Sequence, residues 1–181
     1  MSKTFQADFI PLQIAVLTVS DTRTEENDTS GQLLVERLQQ AGHQVSDKQI
    51  VKDDKYALRA VVSGWIADQQ TQVVLVTGGT GFTERDTTPD ALEPLFDQKI
   101  DGFGELFRHI SWQQIGTSTV QSRATAGLAN GTLIFCMPGS TNACRTAWDD
   151  IILSQINSQH KPCNFVLRLK NTATQHCESR G

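Results

Sequence analysis

Four consecutive apolar residues run straight into a glycine-rich turn near the middle of the chain. Residues 73–76 read VVLV and residues 77–81 read TGGTG. A short continuous apolar run is typical of a strand covered on both faces of a parallel sheet. Glycines leave no Cβ in the way, so backbone N–H groups can approach a phosphate closely. The pattern predicts a buried strand followed by an anion-binding turn made of Thr77, Gly78, Gly79, Thr80 and Gly81.

A polar loop and a helix start follow this turn. Residues 82–87 read FTERDT, and Thr88, Pro89 and Asp90 are typical of an N-cap, a first helical residue and a first-turn acid. Open α/β sheets bind ligands at the carboxyl ends of their strands, so we expect Arg85 and Asp86 beside the anion site. The alternative is that Asp86 is a solvated loop acid or a second helix cap.

The rest of the chain alternates strand and helix patterns. The predicted elements are strands at 14–19, 45–51, 73–76 and 133–137, and helices over 30–42, 58–66, 103–110, 124–128 and 143–156. This β-α-β-α-β order predicts a single three-layer α/β domain with a mostly parallel, Rossmann-like central sheet. We expect the domain to span residues 1–170 and the polar residues 171–181 to form a disordered tail.

Polar segments follow four of the predicted strands, and in a parallel sheet all four reach the same edge. They are Ser20-Asp21, Asp53-Asp54, the Thr77–Asp86 loop and Pro138-Gly139-Ser140. Each has a simpler explanation as well. Asp53 can be a plain N-cap, Ser20-Asp21 an ordinary turn, and the proline–glycine–serine run the end of a strand and the cap of a helix. The convergence of the four segments is what favours a binding site.

Composition narrows the function classes. The formal net charge of the 181 residues is −4, which argues against nucleic-acid or membrane-surface binding by bulk charge. No apolar run is long enough to span a membrane, and the first residues contain no apolar signal core, so we expect a cytoplasmic protein. The four cysteines match neither a disulfide framework nor a zinc site, and we expect no tightly bound structural metal.

The glycine turn, its loop and the helix start together resemble the signature of the MoaB/MogA-like molybdopterin-binding family. The signature segment is TGGTGFTERDTTPDA at 77–91, and similarity extends through IAVLTVSD at 14–21, IVKDD at 50–54, DGFGELFR at 101–108 and TLIFCMPGS at 132–140. The resemblance covers residues 10 to 165. Within the family, the chain is most similar to the molybdenum cofactor biosynthesis protein B branch, as the run STNACRTAWDDII at 140–152 indicates.

The resemblance implies binding of molybdopterin and adenylyl transfer from Mg-ATP to its terminal phosphate. Asp86 would be the essential carboxylate, holding Mg²⁺ or orienting the phosphate, and Asp53 would assist at the metal or the pterin. The turn at 77–81 would cradle a phosphate, and Ser20 and Ser140 would lend hydroxyls. The other expected substrate-binding and phosphate-binding residues are Asp21, Arg85, Pro138 and Gly139.

Two further expectations follow from the resemblance. The domain should assemble as a homotrimer or homohexamer, and other cofactor biosynthesis proteins are candidate partners. Independently of the resemblance, the residues themselves suggest an interface, because a small domain with several large apolar side chains in an irregular segment is expected to bury part of that surface between subunits: Phe96, Phe103, Phe107, Trp112 and Ile115. The chain also departs from the family pattern, because Pro138-Gly139 is followed by Ser140-Thr141-Asn142 where many members have a PGNPK-like run, and the lysine of that run has no counterpart at the same spacing. That departure favours the alternative function, a pterin-binding or carrier protein without catalysis.

Overall fold

The fold was analysed in a computed structural model, which describes residues 8–172. Six strands and six α-helices alternate along most of this range. In chain order they are β1 (Gln13–Val19), α1 (Thr29–Gln40), β2 (Gln44–Val51), α2 (Lys55–Ala67), β3 (Val73–Thr77), α3 (Thr88–Leu92), β4 (Gln98–Lys99), α4 (Asp101–Ile115), β5 (Thr125–Ala129), β6 (Thr132–Met137), α5 (Thr141–Ala147) and α6 (Leu153–Gln155). A π-helical turn, Trp148–Ile152, joins α5 to α6. Three 3₁₀ turns complete the part of the chain that the structure describes: Glu93–Leu95, Gly116–Gln121 and Val166–Arg168.

All six strands form one sheet in the order β2-β1-β3-β6-β5-β4. The first four are parallel to one another, whereas β5 is antiparallel to both its neighbours. Successive residues of the parallel strands alternate between two cores. Val73 and Leu75 pack with α1, α4 and α5 on one face, and Val74 and Val76 pack with α2 and α3 on the other. The predicted three-layer α/β architecture is confirmed.

The segment 124–128 was predicted to be helical, and this prediction is wrong. Residues 125–128 of this segment lie in the strand β5, which pairs with β6 through the turn Asn130-Gly131. Both turn residues have positive φ, 47° and 72°, as a tight hairpin requires. Gly127 packs under the Phe96 ring, and a Cβ added at Gly127 would lie only 2.2 Å from that ring. Close packing and hairpin pairing therefore override the helical pattern.

The helix expected over 103–110 is longer than predicted. It runs from Asp101 to Ile115, and Gly104 within it lets the helix approach β5, since a Cβ there would lie 2.5 Å from the carbonyl oxygen of Ala124. Its residues Phe103 and Phe107 are 3% and 2% exposed. The expectation that these two rings form a subunit interface is therefore wrong, because they belong to the core of the single chain.

The described part of the chain extends to Thr172, whose buried hydroxyl donates to the carbonyl oxygens of Val166 and Leu169 at 2.7 Å. The rest of the expected tail, residues 173–181, lies outside the described residues. No helix within residues 8–172 is long and apolar enough to cross a membrane.

Candidate functional site

A polar cleft of about 300 Å³ opens at the carboxyl ends of the parallel strands. The end of β1, the glycine turn after β3 and the segment after β6 form its walls. Its lining residues are Thr18, Val19, Ser20, Arg23, Ser30, Thr77, Gly78, Gly79, Thr80, Gly81, Asp86, Pro138 and Gly139. Three of the four strand-end segments thus meet in one cleft, and the fourth, around Asp53, contacts the same glycine turn.

The glycine turn needs glycine because neighbouring backbone approaches it closely. Gly78 has a φ of +108°, and a Cβ there would lie 2.2 Å from the carbonyl oxygen of Val19. A Cβ on Gly139 would lie 3.2 Å from the Cα of Gly78. The Gly78 N–H donates to the Met137 carbonyl oxygen at 2.9 Å, so it is not available to a ligand. Within residues 8–172, the N–H groups of Gly79 and Thr80 have no acceptor. These two are the turn's available donors.

The side chain of Thr77 lies beneath the floor of the cleft. It is fully buried, donates to the Pro138 carbonyl oxygen at 3.2 Å and lies 3.0 Å from the Cys144 thiol. Thr80 is also buried, at 3% exposure. The two threonines therefore shape the turn, and their hydroxyls are not presented to solvent.

Asp86 lines the cleft, and its carboxylate is hydrogen-bonded within its own loop. Oδ2 accepts from the Thr83 N–H at 2.9 Å and from the Thr83 hydroxyl at 2.6 Å. Partial burial raises the pKa of Asp86, but the hydrogen bonds from Thr83 and the Gly81 N–H, with the nearby Arg123 charge, outweigh burial and lower the pKa below its usual value. Asp86 is therefore an ionised carboxylate at neutral pH.

Asp53 reaches the same loop from the end of β2. Its Oδ1 accepts from the N–H and the hydroxyl of Thr87 at 3.1 and 2.7 Å. Its Oδ2 faces Gly79, where an added Cβ would lie 2.7 Å away. The neighbouring Asp54 caps α2, accepting from the N–H groups of Tyr56 and Ala57. Asp53 is consequently not the helix cap, and both candidate acids meet at the loop after the glycine turn.

Thr88 is not the N-cap that the sequence predicted. It is the first residue of α3, and its hydroxyl donates to the Gly78 carbonyl oxygen at 2.8 Å. Thr87 holds the cap position without a side-chain cap. The hydroxyl of Thr88 thus fixes the glycine turn to the helix instead of capping that helix.

Asp21 and Arg85 form a bidentate ion pair at the rim, outside the cleft. Arg85 donates to Asp21 at 2.7 to 3.0 Å, and this hydrogen bond is the main cause of the lowered pKa of Asp21. Ser20 lines the cleft, and its Oγ accepts from the N–H groups of Thr22 and Arg23. The ion pair between Asp21 and Arg85 links the loop after β1 to the loop at residues 82–87, called here the Asp86 loop.

The last strand-end segment divides between two places. Pro138 and Gly139 line the cleft, but Ser140 caps α5, accepting from the Ala143 N–H at 3.1 Å. Ser140 lines a separate, smaller pocket of about 110 Å³ with Pro138 and Asn142. The structure therefore places Ser140 beside the cleft rather than in it.

Several residues of the site were not identified from the sequence. Arg23 is the one basic side chain among the described cleft-lining residues. Thr18 and Ser30 also line the cleft, but both are buried and their hydroxyls donate to Asp28. Side chains alternate along β1, so Thr18, two residues before Ser20, lies on the same face as Ser20, and this is the signal that points to Thr18. Arg123 contacts the Asp86 loop from the start of β5, and the wrong helix prediction at 124–128 concealed it.

Comparison with known proteins identifies the family. Residues 15–158 match a family described as a probable molybdopterin binding domain. The chain belongs to this family. The resemblance noted in the sequence is thereby confirmed.

Individual relatives agree with this assignment. Molybdenum cofactor biosynthesis protein B of Escherichia coli K12 is 61% identical over 163 residues, covering 90% of this chain and 96% of that protein. The Bacillus subtilis protein of the same name is 45% identical over 142 residues, covering 78% and 84%. A crystal structure of a molybdenum cofactor biosynthesis protein B matches with a TM-score of 0.79 and 46% identity, over 81% of this chain and 92% of that one.

A tungsten cofactor synthesizing protein, MoaB from Pyrococcus furiosus, has a TM-score of 0.68 and 38% identity. That match covers 78% of this chain and 90% of that one. The fold is therefore shared across most of the length of both proteins.

Proposed function

We propose that this protein acts in molybdenum cofactor biosynthesis, binds molybdopterin and adenylylates its terminal phosphate with Mg-ATP. The observation that supports this most directly is that the ionised Asp86 carboxylate and the glycine turn line the same cleft. The relatives named above are cofactor biosynthesis proteins, and the family is one of molybdopterin-binding domains.

The cleft has the groups that an anionic substrate needs. Arg23 supplies positive charge, and the N–H groups of Gly79 and Thr80 supply donors that cost no side-chain entropy. Ser20 adds a hydroxyl. These groups offset the repulsion that arises when two phosphorylated molecules are brought together.

In adenylyl transfer the protein itself makes and breaks few covalent bonds. A phosphate oxygen of the pterin attacks the α-phosphorus of ATP, a new phosphorus–oxygen bond forms, and the bond to pyrophosphate breaks. Positioning and charge stabilisation supply most of the rate in such in-line transfers. Asp86 and Asp53, both at the loop after the glycine turn, are the residues we assign to that role.

We assign the magnesium site to the same two carboxylates. Residues 8–172 contain no cluster of three or more His, Cys, Asp or Glu side chains placed to hold a metal. Mg²⁺ bound with substrate phosphates needs only one or two protein carboxylates and keeps several waters. Asp86, and Asp53 through the oxygen that faces Gly79, would hold it and would help neutralise phosphate charge.

A second function, pterin binding without catalysis, is favoured by one observation. The hydroxyl of Ser140 is used to cap α5, and the segment after Pro138-Gly139 supplies Thr141 and Asn142 where the family pattern has a lysine. In this alternative the cleft holds molybdopterin for another protein of the pathway and needs no second substrate.

We propose that the protein assembles as a homotrimer or homohexamer in the cytoplasm. Trp112 and Ile115 on α4 are 55% and 52% exposed, and such apolar residues are suited to a subunit interface. Sedimentation at micromolar concentration should show no monomer for the wild type. A monomer there would contradict the proposal.

The deciding experiment mixes the protein with molybdopterin, ATP and Mg²⁺ and measures adenylylated pterin and pyrophosphate. Asp86→Asn keeps an oxygen for the Thr83 hydrogen bonds but removes the charge, and we expect it to abolish product. Asp97→Asn is the matched control, because the Asp97 side chain accepts from the Asn130 N–H at the β5–β6 hairpin, away from the cleft. Pterin binding without product in the wild type would establish the non-catalytic alternative and overturn the transferase proposal.

A further inference from the structure

Arg123 makes several contacts with the Asp86 loop, although it has no role in the proposed chemistry so far. It stands just before β5, and its side chain is 24% exposed. Because β5 is antiparallel to β6, with Thr125 opposite Cys136, the beginning of β5 lies at the same edge of the sheet as the carboxyl end of β6. Arg123 therefore lies directly behind the loop that follows the glycine turn.

Its guanidinium group bridges two carbonyl oxygens five residues apart. Nε donates to the carbonyl oxygen of Gly81 at 2.8 Å, and Nη2 donates to that of Asp86 at 2.5 Å. The backbone N–H of Arg123 also donates to the carbonyl oxygen of Thr80 at 2.9 Å. These bonds close the loop at both of its ends.

Two more contacts anchor the guanidinium itself. Nη1 donates to Asp90 Oδ2 at 2.8 Å in the first turn of α3, and the Phe82 ring lies 5.2 Å from the guanidinium carbon. Only a planar fork with several fixed donors can satisfy this set, because a lysine ammonium acts as a single point charge. The requirement is thus for arginine, not merely for positive charge.

These contacts of Arg123 affect the position of Asp86. Its carboxylate is held by Thr83 within the loop, and its carbonyl oxygen is held by Arg123 from outside the loop. Without the second attachment, the turn that contains Thr83 and Asp86 would keep its internal bonds but move as a unit relative to the cleft.

We propose that Arg123 is a positioning residue that fixes the Asp86 loop against the cleft and so sets the place of the reactive carboxylate. The inference rests on the proposed adenylyl transfer for its effect on rate, but its effect on the loop can be measured without any substrate.

The experiment compares Arg123→Lys with the wild type in the full chain, by amide hydrogen exchange and by steady-state kinetics. Arg59→Lys is the matched control. Arg59 also donates to two backbone carbonyls of α3, those of Asp90 and Ala91, and lies 5.6 Å from an aromatic ring, Tyr56, but it does not reach the loop. Asp90→Asn is a second variant, which weakens one anchor by removing its charge and leaves Arg123 in place.

We expect Arg123→Lys to speed amide exchange selectively at residues 80–87 and to lower kcat on the order of 100-fold, with KM for ATP nearly unchanged. Asp90→Asn should show the same pattern more weakly, and Arg59→Lys should show neither effect. Unchanged exchange at 80–87 in Arg123→Lys, or faster exchange with unaltered kcat, would overturn the positioning role. A wild type without product would count against the transferase proposal alone, since the exchange result stands separately.

Discussion

Asp53 and Thr87 are joined by two hydrogen bonds across 34 positions of sequence, from the Thr87 N–H and hydroxyl to one carboxylate oxygen. This contact ties the end of β2 to the loop that contains Asp86. It brings both candidate acids to one side of the molecule, which is the arrangement that the proposed chemistry requires.

We expect the Asp53–Thr87 contact to be energetically coupled. Asp53→Ala and Thr87→Val should each lower the free energy of unfolding, and the double variant should lose less than the sum. The coupling should be about 2 kcal/mol, as for other hydrogen bonds to a charged group. Urea denaturation of the four proteins gives the value. Strict additivity would show that the contact contributes nothing.

The parallel half of the fold could be predicted from the sequence because its apolar runs are buried on both faces. Burial of Val73 to Val76 is complete, and each run is followed by a visible polar break. The antiparallel half could not be predicted in the same way. Its strand β5 contains alanine and glycine, and its identity depends on the partner β6 and on the Phe96 ring. The Asn130-Gly131 dipeptide was the local signal for this hairpin.

The error at β5 also explains which site residue was missed. Had residues 125–129 been predicted as an antiparallel strand, Arg123 would have been placed at the carboxyl edge of the sheet with the other site segments. The roles of Asp53 and Asp54 illustrate a second limit. Both can cap a helix on sequence grounds. Only the packed structure shows that Asp54 caps α2 and that Asp53 binds Thr87 beside the glycine turn.

Gly79 should not tolerate a side chain. Its φ is +64°, and a Cβ would lie 2.4 Å from the Thr88 hydroxyl and 2.7 Å from Asp53 Oδ2. We expect Gly79→Ala to cost about 2 kcal/mol of unfolding free energy and to weaken ligand binding, because the turn must shift. Gly64→Ala is the control, since nothing lies within 4 Å of its Cβ and α2 should gain about 0.5–1 kcal/mol. Equal stability of the two variants in urea would contradict this account of the turn.

Arg23 should account for much of the affinity of the cleft for phosphates. It lines the cleft and donates to the Asn27 carbonyl oxygen at 2.6 Å, which holds its loop in place. We expect Arg23→Gln to weaken pyrophosphate binding about tenfold, in the range of a charged hydrogen bond, and to reduce its salt dependence. Calorimetric titration at two salt concentrations measures both. Arg168→Gln, which alters an exposed contact to Gln98, should bind as the wild type does.

The buried His43 should make the domain sensitive to acid. The ring is 4% exposed, Nδ1 accepts from the Leu12 N–H at 3.2 Å, and Nε2 has no partner within residues 8–172. Burial lowers the pKa of His43 to about 4. The unfolded chain takes up a proton near pH 6.5, whereas the folded chain does not until about pH 4. Stability should therefore fall as the pH drops through this window, and no further below it.

The loss should reach about 2 kcal/mol between pH 7.5 and pH 5, since each unit of pKa difference corresponds to about 1.4 kcal/mol. Urea denaturation across this range tests the expectation. His43→Leu should be less stable at neutral pH, because the Leu12 N–H loses its acceptor, but its stability should depend less on pH than that of the wild type. His109→Gln, at an exposed position, should keep the wild-type slope. If the leucine variant kept that slope too, the acid sensitivity would have to come from groups other than this ring.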